Sequence, residues 1–491
     1  MRYLGNKESI LDEIRALMEE KKLMGHRYTL CDAFCGSGSV ADYFKTDFDL
    51  VINDNLKWST VYTHGRICAN RCDFKELGFD PFEFFNSNDN QEKGFIYMTY
   101  SPGGSNRMYF TADNAARIDY FRTTIETWKQ SSLLSSDEYA YLLACLIESV
   151  SDVSNTAGVY GAFLKKWDSR ALKPIVFDKV DSTKGINNNL VIYNGKIEDI
   201  IEDIECDVLY LDPPYTQNQY GTQYHLLETL VLNDSPDVSP ITGSRRTAPM
   251  RSDWSKEYKT NIMFDRVLAK TKARYVIFSY NNDGFMSKEY IESAMKRYGL
   301  AETYCCKKIS YKKYQNWKSK NNREHFEYLF FVEMKNKEDV VIESPLNYIG
   351  SKAKMIGSIK ESMPKDIDTL VDAFGGGFNV GININCNDII YNDLNNLVAD
   401  LISSFRDNDT YQYISFVKKL ISKYGLEKGV AEPYYALRNY YNSLEKTKRD
   451  PRILYTLILY GYQQQIRFNG NHDFNNPVGV RWFNDKVLEK F

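Results

Sequence analysis

The sequence contains no run of about 18 apolar residues, the length a helix needs to span a bilayer, so no transmembrane helix and no membrane partner are expected. Its opening residues, MRYLGNKESILDEI, have no apolar core of the secretory kind. Histidine is scarce, with 5 in the chain, and no His–Asp–Ser arrangement can be traced. The 9 cysteines are scattered. Their nearest pairs, Cys68/Cys72 and Cys305/Cys306, are read as having no histidine at ligand spacing, so no metal site is expected. Free thiols fit a reducing cytoplasm, the expected location. A net charge of −3 gives no global case for nucleic acid, and any DNA affinity must come from local basic patches. A full GxGxxG is missing, which makes NAD a poor fit.

What is present begins with length. At 491 residues the chain exceeds one ordinary core, and two or more domains follow. A weak internal repeat divides it. RYLGNK at 2–7 is echoed by NYIGSK at 347–352, YTLCDAFCGSGSV at 28–40 by DTLVDAFGGGFNV at 368–380, and LVINDN at 50–55 by IIYNDLN at 389–395. Each copy reads as strand, turn, helix, strand, the start of an α/β doubly wound sheet. In the first copy a strand delivers Asp32, Gly36 and Gly38 let the backbone approach a ligand, and Asp54 ends the next strand, where an acid can accept from ribose hydroxyls. In the second, Phe378 occupies the position of Gly38.

A different signal sits at 208–215, VLYLDPPY. An apolar strand ends at a carboxylate, followed by two residues with no backbone N–H and an aromatic ring. Such a corner suits methyl transfer to an exocyclic amine. The amine's lone pair is delocalised, and acceptors facing its two N–H groups would free it. Asp212 offers one acceptor and the Pro213 carbonyl the other, Pro214 stiffens the corner, and Tyr215 gives a face on which a flipped base stacks. A sulfonium donor already carries a good leaving group, so catalysis is mostly alignment and electrostatics.

These motifs together resemble the S-adenosylmethionine-dependent DNA adenine-N6 methyltransferases of the Dam-like (D12 class) group. With DPPYTQNQYGTQYHLLETL at 212–230, FSYNNDG at 278–284, and YKKYQNW and EYLFF between 311 and 331, the chain is similar over nearly its whole length to the fused type IIS modification methyltransferases. The resemblance implies a doubly wound Rossmann-like methyltransferase sheet, present as one complete module and a second, incomplete one. It implies catalysis at Asp212, Pro213, Pro214 and Tyr215. It places S-adenosylmethionine against Tyr3, Lys7, Asp32, Phe34, Gly36, Gly38, Asp54 and Asp212, with Asn194–Ile197 framing the cofactor's adenine. The repeat extends these contacts to Tyr348, Lys352, Asp372 and Asp393. The expected division is a module over 1–335 with a recognition insertion at about 60–190, a linker at 336–344, and a second module at 345–491 without its catalytic motif. That second half is expected to be either truncated or decayed to a binding module.

Double-stranded DNA is the implied partner, with a cognate restriction endonuclease acting independently. Two modules suit an asymmetric recognition sequence, whose strands read differently. Basic segments supply candidate DNA contacts: Arg245 and Arg246 in GSRRTAPMR, Lys312, Lys313 and Tyr314 in YKKYQNW, and Arg467 and Asn469 in RFNGNHDFNNPVG. A solvated loop or hairpin has the same composition. Two rivals stay open: an RNA or cytosine-N4 methyltransferase with the same sheet, and a non-catalytic DNA-binding protein on a decayed methylase fold.

Overall fold

The computed structural model describes residues 1, 3–187, 189–310 and 326–491. The chain divides into two compact units. One comprises Met1–Lys256, Lys270–Phe285 and Thr303–Met334, the other Glu257–Ala269, Met286–Glu302 and Lys335–Phe491. The segments 257–269 and 286–302 thus cluster with the second unit, although the expected boundary near 335 puts them in the first. Among the described residues no helix is long and apolar enough to cross a membrane.

The first unit is built on a seven-stranded, mostly parallel sheet. In chain order its strands are β1 (Thr29–Asp32), β2 (Asp49–Ile52), β3 (Leu190–Ile192), β4 (Val208–Leu211), β5 (Tyr275–Asn281), β6 (Cys305–Ser310) and β7 (Phe326–Glu333). Across the sheet they run β3-β2-β1-β4-β5-β7-β6, with β7 antiparallel to both neighbours. The central strands are short apolar runs. VLYL of β4 and YVIFSYN of β5 are buried throughout, as expected of strands covered on both faces. Burying a side chain such as Leu209 contributes about 1.5–3 kcal/mol. The order reverses at β1, which pairs in parallel with β2 on one side and β4 on the other. A crevice at the carboxyl ends of the strands is the expected ligand position at such a reversal.

Between β2 and β3 the chain makes its long insertion, which is helical. Helices Lys57–Cys68, Ala112–Gln130 and Ser136–Asp152 form around an aromatic core that includes Phe85, Phe121, Trp128 and Tyr141. Local chemistry sets their starts. Thr111 caps the second, and Ser135 and Glu138 form a reciprocal capping box on the third.

The second unit contains the parallel pair β8 (Thr369–Asp372) and β9 (Asp388–Tyr391), registered Thr369 to Asp388 and Asp372 to Tyr391. Helices Asn396–Asp407, Thr410–Tyr424, Ala431–Ser443 and Pro451–Tyr460 pack around Leu401, Tyr413, Leu437 and Tyr455. Glu432-Pro433-Tyr434-Tyr435, a sequence vaguely similar to Asp212-Pro213-Pro214-Tyr215, lies inside the third of these helices and so forms no strand-ending corner.

Candidate active site

The N-terminal segment forms one wall of a cleft at the sheet reversal. Gly5 has φ +84°, and a side chain there would meet the Tyr220 hydroxyl at 2.9 Å. That hydroxyl donates to the Leu4 carbonyl at 3.0 Å, while the Leu4 N–H donates to the Tyr224 hydroxyl at 2.8 Å. Tyr3 is thereby held among Trp58, Tyr220 and Tyr224, with ring centroids 5.1–5.7 Å away. Its ring lies against the turn after β1. Gly36 has φ +51°, and a Cβ there would fall 2.8 Å from the Tyr3 ring, so only glycine permits this approach.

Three aspartates stand at the carboxyl ends of three strands. Asp54, after β2, accepts from the Gly36 N–H at 3.1 Å and the Leu56 N–H at 2.9 Å. Burial raises its pKa to about 6 against the pull of these donors. Asp32 ends β1 and is almost wholly buried, with its Oδ1 lacking any hydrogen-bond partner. Burial, reinforced by the charge of Asp212, raises its pKa to about 8. Asp212, after β4, is raised to about 7 by burial, with Lys7 opposing the rise and Glu327 adding to it.

Lys7 stands between two carboxylates. Its ammonium lies 3.1 Å from Asp212 Oδ1 and 2.6 Å from Glu327 Oε1. Burial works against its charge, but the two carboxylates outweigh that and hold its pKa above the ordinary lysine value. It also stands 5.8 Å from the centre of the Tyr215 ring. Sequence reasoning missed Glu327, although an acid beside the apolar run YLFFV of the strand FEYLFFVE was a usable signal.

The cleft is open to solvent. Tyr3, Lys7, Asp32, Phe34, Gly36, Asp54 and the whole of Asp212-Pro213-Pro214-Tyr215 line it. Gly38 is not in the lining. It precedes helix Ser39–Phe44 with φ +72° and packs against Thr63. Asn194–Ile197 also stay out of the lining, and Asn194 donates to the Asp54 carbonyl at 2.7 Å. The orphaned Asp32 oxygen, the acceptors of Asp54 and the aromatic wall fit a group with a cationic amine, hydroxyls and a flat ring, as S-adenosylmethionine has.

The repeat is preserved in the backbone of the second unit. Gly350, Gly376 and Phe378 have φ of +81°, +50° and +64°, against +84°, +51° and +72° at Gly5, Gly36 and Gly38. A bulky side chain in that region is strained. Asp393 accepts from the Gly376 N–H at 2.9 Å and from the Asn395 N–H at 2.9 Å, and the Tyr348 ring lies against Gly376 as Tyr3 does against Gly36. The copies diverge at the lysine. Lys352 is exposed and its ammonium reaches the Gly350 carbonyl at 3.2 Å. Asp372 Oδ2 accepts from the Gly381 N–H at 3.2 Å.

Of the candidate DNA contacts, Arg246, Arg467 and Asn469 are exposed, whereas Arg245 donates to both oxygens of Asp234 at 3.0 and 2.7 Å. The insertion fastens the loop before Arg245. Arg107 donates to the carbonyls of Ser239 and Pro240, and Tyr100 and Tyr109 donate to those of Gly243 and Thr242. Lys312, Lys313 and Tyr314 lie outside the described residues. The cysteine reading overlooked His64, one helical turn before Cys68. The donor atoms of His64, Cys68 and Asp137 lie within 4.8 Å of one another. Both Asp137 oxygens are already engaged, by His64 at 2.7 Å and Arg71 at 2.7 Å.

Comparison with known proteins defines the class. The model of the D12 class N6 adenine-specific DNA methyltransferases matches residues 3–294 and 348–490. The chain belongs to that family. It is 38% identical to the type II methyltransferase M.FokI of Planomicrobium okeanokoites, over 98% of this chain and 77% of that protein. Modification methylases StsI of Streptococcus sanguinis and LlaI of Lactococcus lactis subsp. lactis are each 33% identical, over 98% and 100% of this chain and 76% and 79% of their own lengths.

Proposed function

We propose that the cleft methylates N6 of an adenine flipped out of duplex DNA, using S-adenosylmethionine, as the modification part of a type II restriction–modification system with an asymmetric recognition sequence. The observation that carries this is the convergence of the Asp212-Pro213-Pro214-Tyr215 corner with the Tyr3, Asp32 and Asp54 cradle in one cleft. Family membership and the kinship with modification methylases support the substrate class.

Asp54 would accept from the cofactor's ribose hydroxyls, and Asp32 Oδ1, which has no protein donor, would accept from its amine. Tyr3 and Phe34 pack its flat ring. When bound, the sulfonium supplies an activated methyl group and a neutral leaving group. Asp212 and the Pro213 carbonyl accept the two N6–H bonds of the base, drawing the nitrogen toward tetrahedral geometry. Tyr215 stacks on the base. N6 must shed a proton as the new C–N bond forms, and the Asp212 carboxylate, with its pKa near 7, is placed to hold it. Arg246 and the fastened loop around it face the DNA backbone.

We read the second unit as a second methyltransferase module with a cofactor cradle. Residues 335–491 contain no second Asp-Pro-Pro-Tyr, so this sequence is expected to methylate one strand of its site. The test is single-molecule sequencing of both strands of DNA incubated with purified protein and S-adenosylmethionine, with Asp212→Ala as control. N6-methyladenine on one strand of a non-palindromic site, absent with a folded Asp212→Ala protein, is expected. N4-methylcytosine, modification of RNA alone, or full activity of Asp212→Ala would overturn the reading. Both strands methylated at completion would overturn its one-strand part.

A further inference from the structure

Lys7, Asp212 and Glu327 form a buried triad in which one cation serves two acids. Glu327 comes from β7, 320 residues from Lys7 in sequence. It is 2% exposed and is fixed from a second direction, since the Ser279 hydroxyl of β5 donates to Glu327 Oε1 at 2.6 Å. Asn281, at the end of β5, stands 3.5 Å from Glu327 Oε2. Glu327 is not among the residues that line the cleft, and it acts there through Lys7. It holds the Lys7 ammonium, the cation that pairs with the catalytic carboxylate among the described residues, and at the shorter distance, 2.6 Å against 3.1 Å.

We propose that Glu327 is a positioning residue for methyl transfer. By anchoring the Lys7 ammonium, it keeps that charge from collapsing onto Asp212 and so leaves the Asp212 carboxylate a strong acceptor for the N6–H of the target base. A carboxylate fully paired with an ammonium donates less electron density to a third hydrogen-bond partner. A carboxylate with no cation at all would be protonated in this buried setting, which leaves it a weaker acceptor and unable to take the N6 proton. Sharing Lys7 between two acids lies between these extremes. The other groups facing Asp212 do not replace this balance. Tyr210, Tyr220 and Tyr3 are phenols whose pKa values stand well above 10, and Asp32 is itself held up by the Asp212 charge.

This inference rests on the Asp212 role given above and is tested so that the two can fail separately. Glu327→Gln keeps the shape and removes the charge. Expected is a fall of roughly tenfold in kcat at saturating DNA and S-adenosylmethionine, with cofactor affinity by calorimetry within about twofold, and a downward shift of about one pH unit or more in the acid limb of the pH profile, because Asp212 loses a like charge and keeps its cation. The calorimetric measurement also certifies that the variant is folded. In a Lys7→Met background the added Glu327→Gln change should cause no further fall in kcat measured above the acid limb, since the anchored cation is gone, while the limb still moves down because Asp212 loses a like charge. A purely structural role would lower activity and cofactor binding together with the limb unmoved. An unchanged kcat and limb in Glu327→Gln, or full additivity of the kcat losses with Lys7→Met, would overturn the proposal while an inactive Asp212→Ala left the methyl-transfer reading standing. An active Asp212→Ala would sink that reading first.

Discussion

Replacing Lys7 by methionine tests whether the buried cation sets the working state of Asp212. The chain length is retained, so packing is little changed while the charge disappears. Lys7 lies 3.1 Å from Asp212, and at an effective dielectric of about 20 such a pair interacts by about 5 kcal/mol. One pKa unit corresponds to about 1.4 kcal/mol, so between a quarter and a half of that interaction raises Asp212 by about one to two units. Its pKa starts at about 7. Near pH 7.5 the ionised fraction then falls from about three quarters to between about one quarter and one thirtieth, so kcat should drop roughly 3- to 25-fold. The sign is testable: activity should return as pH rises, with the acid limb displaced upward, the opposite of the shift expected for Glu327→Gln. The assay is methyl incorporation at saturating cofactor and DNA between about pH 6 and 9.5, the range in which a limb at 7 and one at 9 are both visible. A Lys7→Met profile that superimposes on the parent after scaling would refute the coupling of Lys7 to Asp212.

Asp54→Ala should weaken S-adenosylmethionine binding about tenfold or more, since charge-assisted hydrogen bonds contribute about 1.5–3 kcal/mol; unchanged affinity by calorimetry would contradict the ribose role. Stability without ligand should fall between about pH 7 and 8. Asp32 and Asp212 have folded pKa values of about 8 and 7 against an ordinary 3.8, so the folded state binds protons that the unfolded state has already lost, and stability decreases as pH rises. The expected loss over that unit is about 1 kcal/mol, and His64 and His225, both lowered by burial, act at lower pH. Denaturant titration at the two pH values checks it, and a midpoint that stays level or rises would count against these acids being protonated in the folded protein.

The parts of the site that could be read in the sequence are those made by local chain geometry. A strand that ends on an acid, a glycine turn and a second strand ending Asn-Asp specify Asp32, Gly36 and Asp54 within about 25 residues, and the repeat supplied an internal control. The structure carries that control to the backbone, where Phe378 adopts the left-handed conformation of Gly38. Glu327 could not be read in the same way, because its meaning depends on strand order. It approaches Lys7 and Asp212 because β7 inserts antiparallel beside β5, which is itself paired with β4. No spacing rule along the chain encodes that. The sequence did show an acid at 327 beside the apolar run YLFFV, and a buried acid demands a cation. A basic residue already singled out for the cofactor, Lys7, was the unpaired half of that demand.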